Sequence, residues 1–505
     1  MSAAEGTSAA GRPRTLADVQ ALLGEELIGA PGPDGGATLS GIAIDSRRVG
    51  QGDLFVAVPG VDDDGTRFVD DAVARGAAAV LTEADVDATV PVLRVRSARL
   101  AVARLASEWH GRPADRLSLV GVTGTVGKTT VVRMLESILT SAGQRPGVVG
   151  SLGAGYGEDL VDTGMTTPDP MTLHGALARI AERTDRAVME VTSHALTQGR
   201  VHGLEFDLGI FTNLIMLEHL EYHGGFAEYV KAKLGFFDHV REGAPLIHPA
   251  GDRLVAEAVA QRNVLPVSCG SGADAVLHIE RTAMTSRGTR LLFQLEKPLP
   301  LLEGGEVSPM TFPAALQLLG RAAVNNASLA AAAALLLGID PETVASALAD
   351  LTPPRRRMQV ERFGGVTVLD DTVGHPDSVT GVFEVAENIP HDRLFVAYAV
   401  RGRRGAEINR RDAEAVGIWA KRVTPELIAV TSSEDAADER NVVESDERQA
   451  FVGALDEAGV AHRHHARLAD AIEDVLERAG PGDLILLLGA QGMDDGLELV
   501  RQRLG

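Results

Sequence analysis

Apolar positions along this chain come in short blocks that alternate between two periods. Leu117-Ser118-Leu119-Val120, Ala187 to Val191, Leu208 to Thr212, Pro245 to His248 and Val264 to Val267 are compact apolar runs of strand length. Between them lie stretches whose apolar residues fall three and four apart, as in Val131 to Leu139. Strands separated by helices predict a largely parallel sheet. A second alternation follows further on. Its strands are Val366 to Leu369, Leu394 to Ala399, Leu427 to Thr431 and Leu484 to Leu488. Its helices are Val379 to Glu387, Ala413 to Lys421, Glu447 to Ala458 and Arg467 to Ala479. This part reads as Rossmann-like, although no GxGxxG stands at its first turn. Near the start, Thr15 is placed to cap a helix opening at Leu16, and Leu39 to Ile44, Asp53 to Val58 and Ala72 to Val80 form a small alternating unit. Val276 to Leu302 reads as a β insert turning at Ser286-Arg287-Gly288, and Leu329 to Leu337 as a short core helix.

The expected fold class is therefore α/β in three domains: a small α/β domain over 1–113, a central parallel-sheet domain over 114–352, and a Rossmann-like domain over 353–505. Pro353-Pro354-Arg355-Arg356-Arg357 is the stiff, basic break before the last. A chain of 505 residues agrees with that division. The net charge of -22 argues against a nucleic-acid partner. The single cysteine, Cys269, excludes intrachain disulfides and cysteine-cluster metal sites, and reads as a small buried hydrophobe. No apolar run reaches membrane-spanning length, so no membrane partner is expected. Residues 1–14 lack the apolar segment of a secretory signal and read as a disordered lead-in. A cytoplasmic monomer is the expectation.

The strongest chemical signal is Gly121 to Thr130, GVTGTVGKTT, between a strand and a helix. Such a loop closes backbone N–H groups around a triphosphate at the positive end of a helix. Gly124, Thr125, Gly127, Lys128, Thr129 and Thr130 are its candidate nucleotide contacts. Lys128 is placed to reach the terminal phosphates, and Thr129 to ligate Mg2+. Glu190 ends the apolar strand Ala187 to Val191, where open sheets hold ligands, and reads as a metal ligand or as a surface residue opening a loop. His219, just after Phe211-Thr212-Asn213-Leu214, reads as a ligand to the same metal or as a structural histidine. Lys233 falls on the stripe of Phe226, Tyr229, Val230 and Phe237, whereas Lys231 falls off it. A lysine there either snorkels to the helix edge or is desolvated. Desolvation lowers its pKa and frees the amine to react with CO2. The carbamate so formed suits a hard cation. Arg401 to Asp412, RGRRGAEINRRD, reads either as a grip for carboxylate or phosphate or as a solvated charged loop.

GTVGKT, MEVTSHAL, FTNL…EHLEYHG and YVKAKLGFF occur in this order and at this spacing, and they resemble the central domain of the Mur ligases, most closely the MurE type. The likeness is strong over residues 121 to about 240 and extends to the N-terminal unit. It implies an ADP-forming acid–amino-acid ligase of peptidoglycan precursor synthesis, adding an amino acid to UDP-N-acetylmuramoyl-L-alanyl-D-glutamate. The resemblance implies ATP and Mg2+ as cofactors, with metal at Thr129, Glu190, His219 and a carbamylated Lys233. It makes 1–113 a uridine-nucleotide domain, with Ser46 and Arg47 near the UDP. It assigns Thr166, Thr167, Thr192, Gln198 and Arg200 to the rest of that substrate, and Asn213, Asn326, Arg357 and Asp371 to ATP. In the implied reaction the substrate carboxylate takes the γ-phosphoryl group and the amine then displaces phosphate. Closure of the last domain over the central one would exclude water, with Pro353 to Arg357 as hinge.

Departures cluster late in the chain. The family's loop asparagine is Val126 here. Its Gly-Arg-Met-Glu is Arg356-Arg357-Met358-Gln359, and the histidine of its Asp-Tyr-Ala-His-Thr-Pro-Asp is Gly374, with His375 one step later. Its amino-acid-selecting Asp-Asn-Pro-Arg is replaced by Ser433-Glu434-Asp435-Ala436, and its Gly-Lys-Gly-His-Glu by Gly489-Ala490-Gln491-Gly492-Met493. The identity of the amine therefore does not transfer. A paralogue joining another carboxylate and amine, or a non-catalytic ATP-binding regulator, are the competing readings.

Overall fold

The computed structural model describes residues 15–30, 37–60, 64–215, 225–353 and 355–505, and the chain separates into two compact units. The first holds everything up to Leu277 together with Lys297–Ser308 and Leu329–Thr343. The second holds His278–Glu296, Pro309–Ser328 and Val344–Gly505. The lead-in 1–14 and His219 lie outside the described residues. Among the described residues no helix is long and apolar enough to cross a membrane.

The first unit begins with the expected capped helix. Thr15 Oγ1 accepts from the Asp18 N–H at 3.1 Å and Asp18 returns the bond to the Thr15 N–H at 2.9 Å. A five-stranded sheet follows in the order Leu27–Gly29, Val92–Val95, Ala79–Thr82, Leu54–Ala57, Ile42–Ala43. The run Ala72 to Val80, expected as one element, is divided: helix Val69–Ala74 ends before Gly76, whose φ of 104° turns the chain into strand Ala79–Thr82.

The same unit carries the expected parallel sheet. Strands Leu265–Gly270, Pro245–Pro249, Leu208–Phe211, Ser118–Thr123, Arg186–Glu190 and Gly147–Gly150 run parallel in that order. Two antiparallel strands, Gly153–Tyr156 and Asp159–Val161, extend its edge. Ser118–Thr123 and Arg186–Glu190 lie side by side, almost wholly buried, with apolar residues between their polar ends. Their carboxyl ends therefore open together, and the loops that follow them share one edge.

In the second unit, strands Leu277–Thr285 and Gly288–Leu295 are the two arms of the expected β insert, and the latter pairs antiparallel with Met310–Leu316. A six-stranded sheet follows in the order Gln359–Phe363, Val366–Asp371, Leu484–Gly489, Leu394–Ala399, Leu427–Thr431, Arg463–His465. All its pairings are parallel except the first. The charged stretch Arg401 to Asp412 is only partly a loop. From Ala406 it is helix Ala406–Val423, in which Arg410 and Arg411 pair with Glu414 and Glu407 four residues away.

Candidate functional site

Strand Ser118–Thr123 ends in Gly124, and helix Lys128–Ser141 starts after Gly127. Their φ values of 134° and 88° lie where L side chains are disfavoured, and a Cβ on Gly124 would collide with Thr212 Oγ1. The loop is braced by the next strand end. Asn213 Oδ1 accepts from the Val126 N–H at 3.0 Å, Asn213 Nδ2 donates to Val126 O at 2.8 Å, and Thr212 Oγ1 donates to the same oxygen at 2.6 Å. Every one of these bonds uses the backbone of Val126, so the departure at that position leaves the cradle intact. Asn213, expected at the nucleotide, acts here as a clamp on the loop. Lys128 Nζ donates to the carbonyls of Gly124 and Thr125 at 2.9 and 2.8 Å, and Thr130 lies half-buried on the first helical turn.

Helix Phe226–Leu234 reaches the same loop twice. Lys233 is 2% exposed and its Nζ donates to Gly124 O at 2.6 Å, so it does not snorkel; Lys231, off the stripe, is exposed. One turn earlier, the fully buried Tyr229 shares a 2.7 Å hydrogen bond with Thr125 Oγ1, which also accepts from the Ile215 N–H at 3.0 Å. Tyr229 was legible only as an apolar position. Its four-residue spacing from Lys233 was the available sign that both would meet the loop.

Glu190 is 1% exposed and turned inward, which excludes the surface reading. Thr129 Oγ1 lies 3.0 Å from each of its carboxylate oxygens. The Ser151 N–H donates to Oε1 at 2.9 Å, and Gly150 is required beside it because a Cβ there would strike that oxygen. Ser151 Oγ stands 3.0 Å from Thr166 Oγ1. Behind it, Thr167 Oγ1 donates to Glu190 O at 2.9 Å and accepts from the Thr192 N–H at 3.1 Å. Arg200 Nη1 donates to Thr167 O at 2.7 Å while its guanidinium also grips Gln198 Oε1. Thus Lys128, Thr129, Glu190 and Lys233 adjoin one loop, and Thr166, Thr167, Thr192, Gln198 and Arg200 are linked to it through Glu190. Ser151 was missed in sequence, where a Gly-Ser pair ending a short Val-Val run was the only hint.

Ser46 and Arg47 lie just after strand Ile42–Ala43. Ser46 is buried, and the exposed Arg47 folds its fork onto Asp45 at 2.9 and 2.8 Å, which holds that carboxyl below its usual range. In the second unit, Asn326 is buried in helix Gly320–Leu336. Arg357 is exposed between Arg356 and Met358, which hold φ values of 53° and 51°. Asp371 accepts from the Met358 N–H at 2.6 Å; burial pushes its carboxyl up to about 6 against that hydrogen bond.

Several polar residues of the second unit bond to the chain itself, although Ser433 Oγ and Asp412 Oδ1 are buried without a hydrogen-bond partner among the described residues. The N–H groups of Arg403, Arg404 and Gly405 close on the Glu447 carboxylate at 2.7 to 3.0 Å, so the expected anion grip holds the chain's own carboxylate. Burial works to raise that group, but these bonds and a fourth from the Glu444 N–H hold it below its usual range. Asp435 accepts from Leu468 and Ala469 N–H at 2.6 and 3.2 Å, capping the helix that starts there. Arg401 Nη1 donates to the Gly374 carbonyl at 3.1 Å, and His375 caps helix Pro376–Ala386.

Among the described residues no group of three His, Cys, Asp or Glu is arranged to hold a metal. The Glu190 carboxylate beside the Thr129 hydroxyl is nonetheless a hard oxygen pair of the kind Mg2+ takes.

Three family profiles match the chain: the Mur ligase family, catalytic domain over 38–110, the Mur ligase middle domain over 122–334 and the Mur ligase, glutamate ligase domain over 356–491. The UDP-N-acetylmuramoyl-L-alanyl-D-glutamate–2,6-diaminopimelate ligase of Xanthomonas oryzae pv. oryzae is 32% identical over 463 residues, 89% of this chain and 88% of its own. The enzyme of the same name from Geobacillus kaustophilus is 32% identical over 90% of both chains. A solved structure of a ligase of that name aligns with TM-score 0.65 at 23% identity over 90% of each chain. MurF ligase from Thermotoga maritima, solved in complex with ADP, aligns with TM-score 0.61 at 20% identity over 92% of this chain and 97% of its own.

Proposed function

This chain belongs to the Mur ligase family, and on that premise we propose that it is an ATP-dependent ligase adding one amino acid to a UDP-N-acetylmuramoyl dipeptide, a step of peptidoglycan precursor synthesis. The observation that carries this is the convergence on one phosphate loop of Lys128, Thr129, Glu190 and Lys233, with Thr166, Thr167 and Arg200 joined to it through Glu190. ATP would bind against Gly124 to Thr130 in the domain over 114–352. Lys128 would exchange its two carbonyl partners for phosphate oxygens. Ser46 and Arg47, in the domain over 1–113, would face the UDP.

The reaction proceeds in two transfers. A carboxylate oxygen of the substrate attacks the γ-phosphorus in line, the bond to the β-bridging oxygen breaks, and ADP leaves an acyl phosphate. The amine nitrogen then attacks the acyl carbon, loses a proton, and phosphate departs. Thr129, Glu190, His219 and Lys233 would hold Mg2+, which when bound offsets the repulsion between the two anions. A buried lysine amine is costly to charge, and this supports its carbamylation in the active enzyme. Lys233→Ala would then lose activity about 10²-fold or more and regain part of it with short-chain carboxylic acids; unchanged activity would exclude the carbamate.

A second reading, a paralogue joining another carboxylate and amine, is favoured by one observation. At the family's amine-selecting position, Asp435 caps a helix of the fold. Phosphate release from ATP with UDP-N-acetylmuramoyl-L-alanyl-D-glutamate and a panel of amino acids decides between them. Turnover with one amino acid supports the first reading. Nucleotide binding without turnover for any of them supports the second or a non-catalytic regulator, and a wider acceptor screen divides those two.

A further inference from the structure

We propose that the hydroxyl of Ser151 makes it a positioning residue, one that helps to aim the Glu190 carboxylate and ties the nucleotide side of the cluster to the acceptor side. The inference rests on the proposed nucleotide site and assigns a residue that neither the motifs nor the resemblance singled out. Ser151 follows strand Gly147–Gly150, which lies directly beside Arg186–Glu190, so the two strand ends bring Ser151 and Glu190 together. Its N–H donates to Glu190 Oε1 at 2.9 Å, and its hydroxyl lies 3.4 Å from Oε2. The same hydroxyl stands 3.0 Å from Thr166 Oγ1 and 3.5 Å from Thr129 Oγ1.

Two hydroxyls, of Thr129 and Ser151, therefore flank one buried carboxylate, and Ser151 is the member that also meets the Thr166 hydroxyl. It is also exposed, whereas Glu190 is 1% exposed, so the cluster is open on its side. A carboxylate has two oxygens and a rotatable terminal torsion. Thr129 alone, equidistant from both oxygens at 3.0 Å, does not fix that torsion. The Ser151 N–H holds one oxygen and its hydroxyl stands beside the other, so together they fix the plane that the carboxylate presents to a cation carried by the nucleotide.

The test is ADP binding by calorimetry, with Mg2+ and with chelator, which needs no knowledge of the amine. Loss of an outer partner of a metal-holding carboxylate weakens metal-dependent binding about tenfold. Ser151→Ala is expected to lose about that factor with Mg2+ and to bind Mg2+-free ADP as the wild type does. Ser151→Thr, which keeps the hydroxyl, is expected to restore the Mg2+ effect. An unchanged Mg2+ effect in Ser151→Ala, or an equal loss with and without Mg2+, would overturn the proposal. Failure of the wild-type protein to turn over the dipeptide would instead strike the substrate reading and leave the ADP result standing.

Discussion

The two parallel sheets that end in polar clusters use those groups in opposite ways. At the edge formed by Ser118–Thr123 and Arg186–Glu190, side chains converge on a loop whose hydroxyls remain partly exposed at Thr129, Ser151 and Thr166. At the corresponding edge of the second sheet, Arg356, Glu447 and Asp435 are bonded into the fold. Arg356 is 6% exposed and donates to Asp370 Oδ1 at 3.1 Å, to the carbonyls of Ala490 and Gly489 at 2.8 and 2.5 Å, and to Asp494. Glu447 and Asp435 are bonded to backbone N–H groups of the chain itself. Charge at a strand end thus adjoins solvent-facing hydroxyls in one case and is bonded into the fold in the other. What separates them is whether hydrogen-bonding capacity is left facing solvent.

The sharpest way to break that comparison is Lys128→Ala, expected to lower kcat for phosphate release by about 10³-fold, with melting temperature little changed. Full amide formation in that variant would end the account of the first cluster. In the second cluster the order should reverse. Arg356→Ala strips the guanidinium from Asp370, which is 0% exposed, and should cost about 3–5 kcal/mol in urea unfolding. A loss under 1 kcal/mol would show that the buried pair is not structural.

A pH series probes stability away from both clusters. His174, 1% exposed and with neither ring nitrogen hydrogen-bonded among the described residues, is pushed by burial down to about 4, with nearby His110 adding to the shift. Its folded-state value lies below the unfolded one. As pH falls from about 6.5 to about 4 the unfolded chain takes up a proton that the folded chain does not, and about 3 kcal/mol is lost. His174→Leu should flatten that part of the stability curve. The smallest effect is expected at Asp435→Ala, about 1 kcal/mol of stability for the helix cap and no change in KM for the amine. A large KM change would return that residue to amine selection.

Much of this was legible in order along the chain. The strand–loop–helix of Gly121 to Thr130, the alternating β insert and the strands Val366–Asp371, Leu394–Ala399, Leu427–Thr431 and Leu484–Gly489 follow from local period, whereas the parallel strand Arg463–His465 is too short and polar to show one. The division at Gly76 was not, since an apolar run does not show where its period changes. Lys233 stood on the buried stripe by spacing, but spacing did not decide between a snorkelling and a sunken amine.

By itself, then, the sequence determined the kinds of element, their alternation and the phosphate loop, all of which depend on neighbours within a few residues. Tertiary structure decided the partners. Tyr229 meets Thr125 and Lys233 meets Gly124 across about a hundred positions, and Ser151 meets Glu190 because two strands distant in sequence are adjacent in the sheet. It also decided that Asp435 and Glu447 serve the fold. A carboxylate's role depends on which donors reach it, and strand order rather than residue identity sets that.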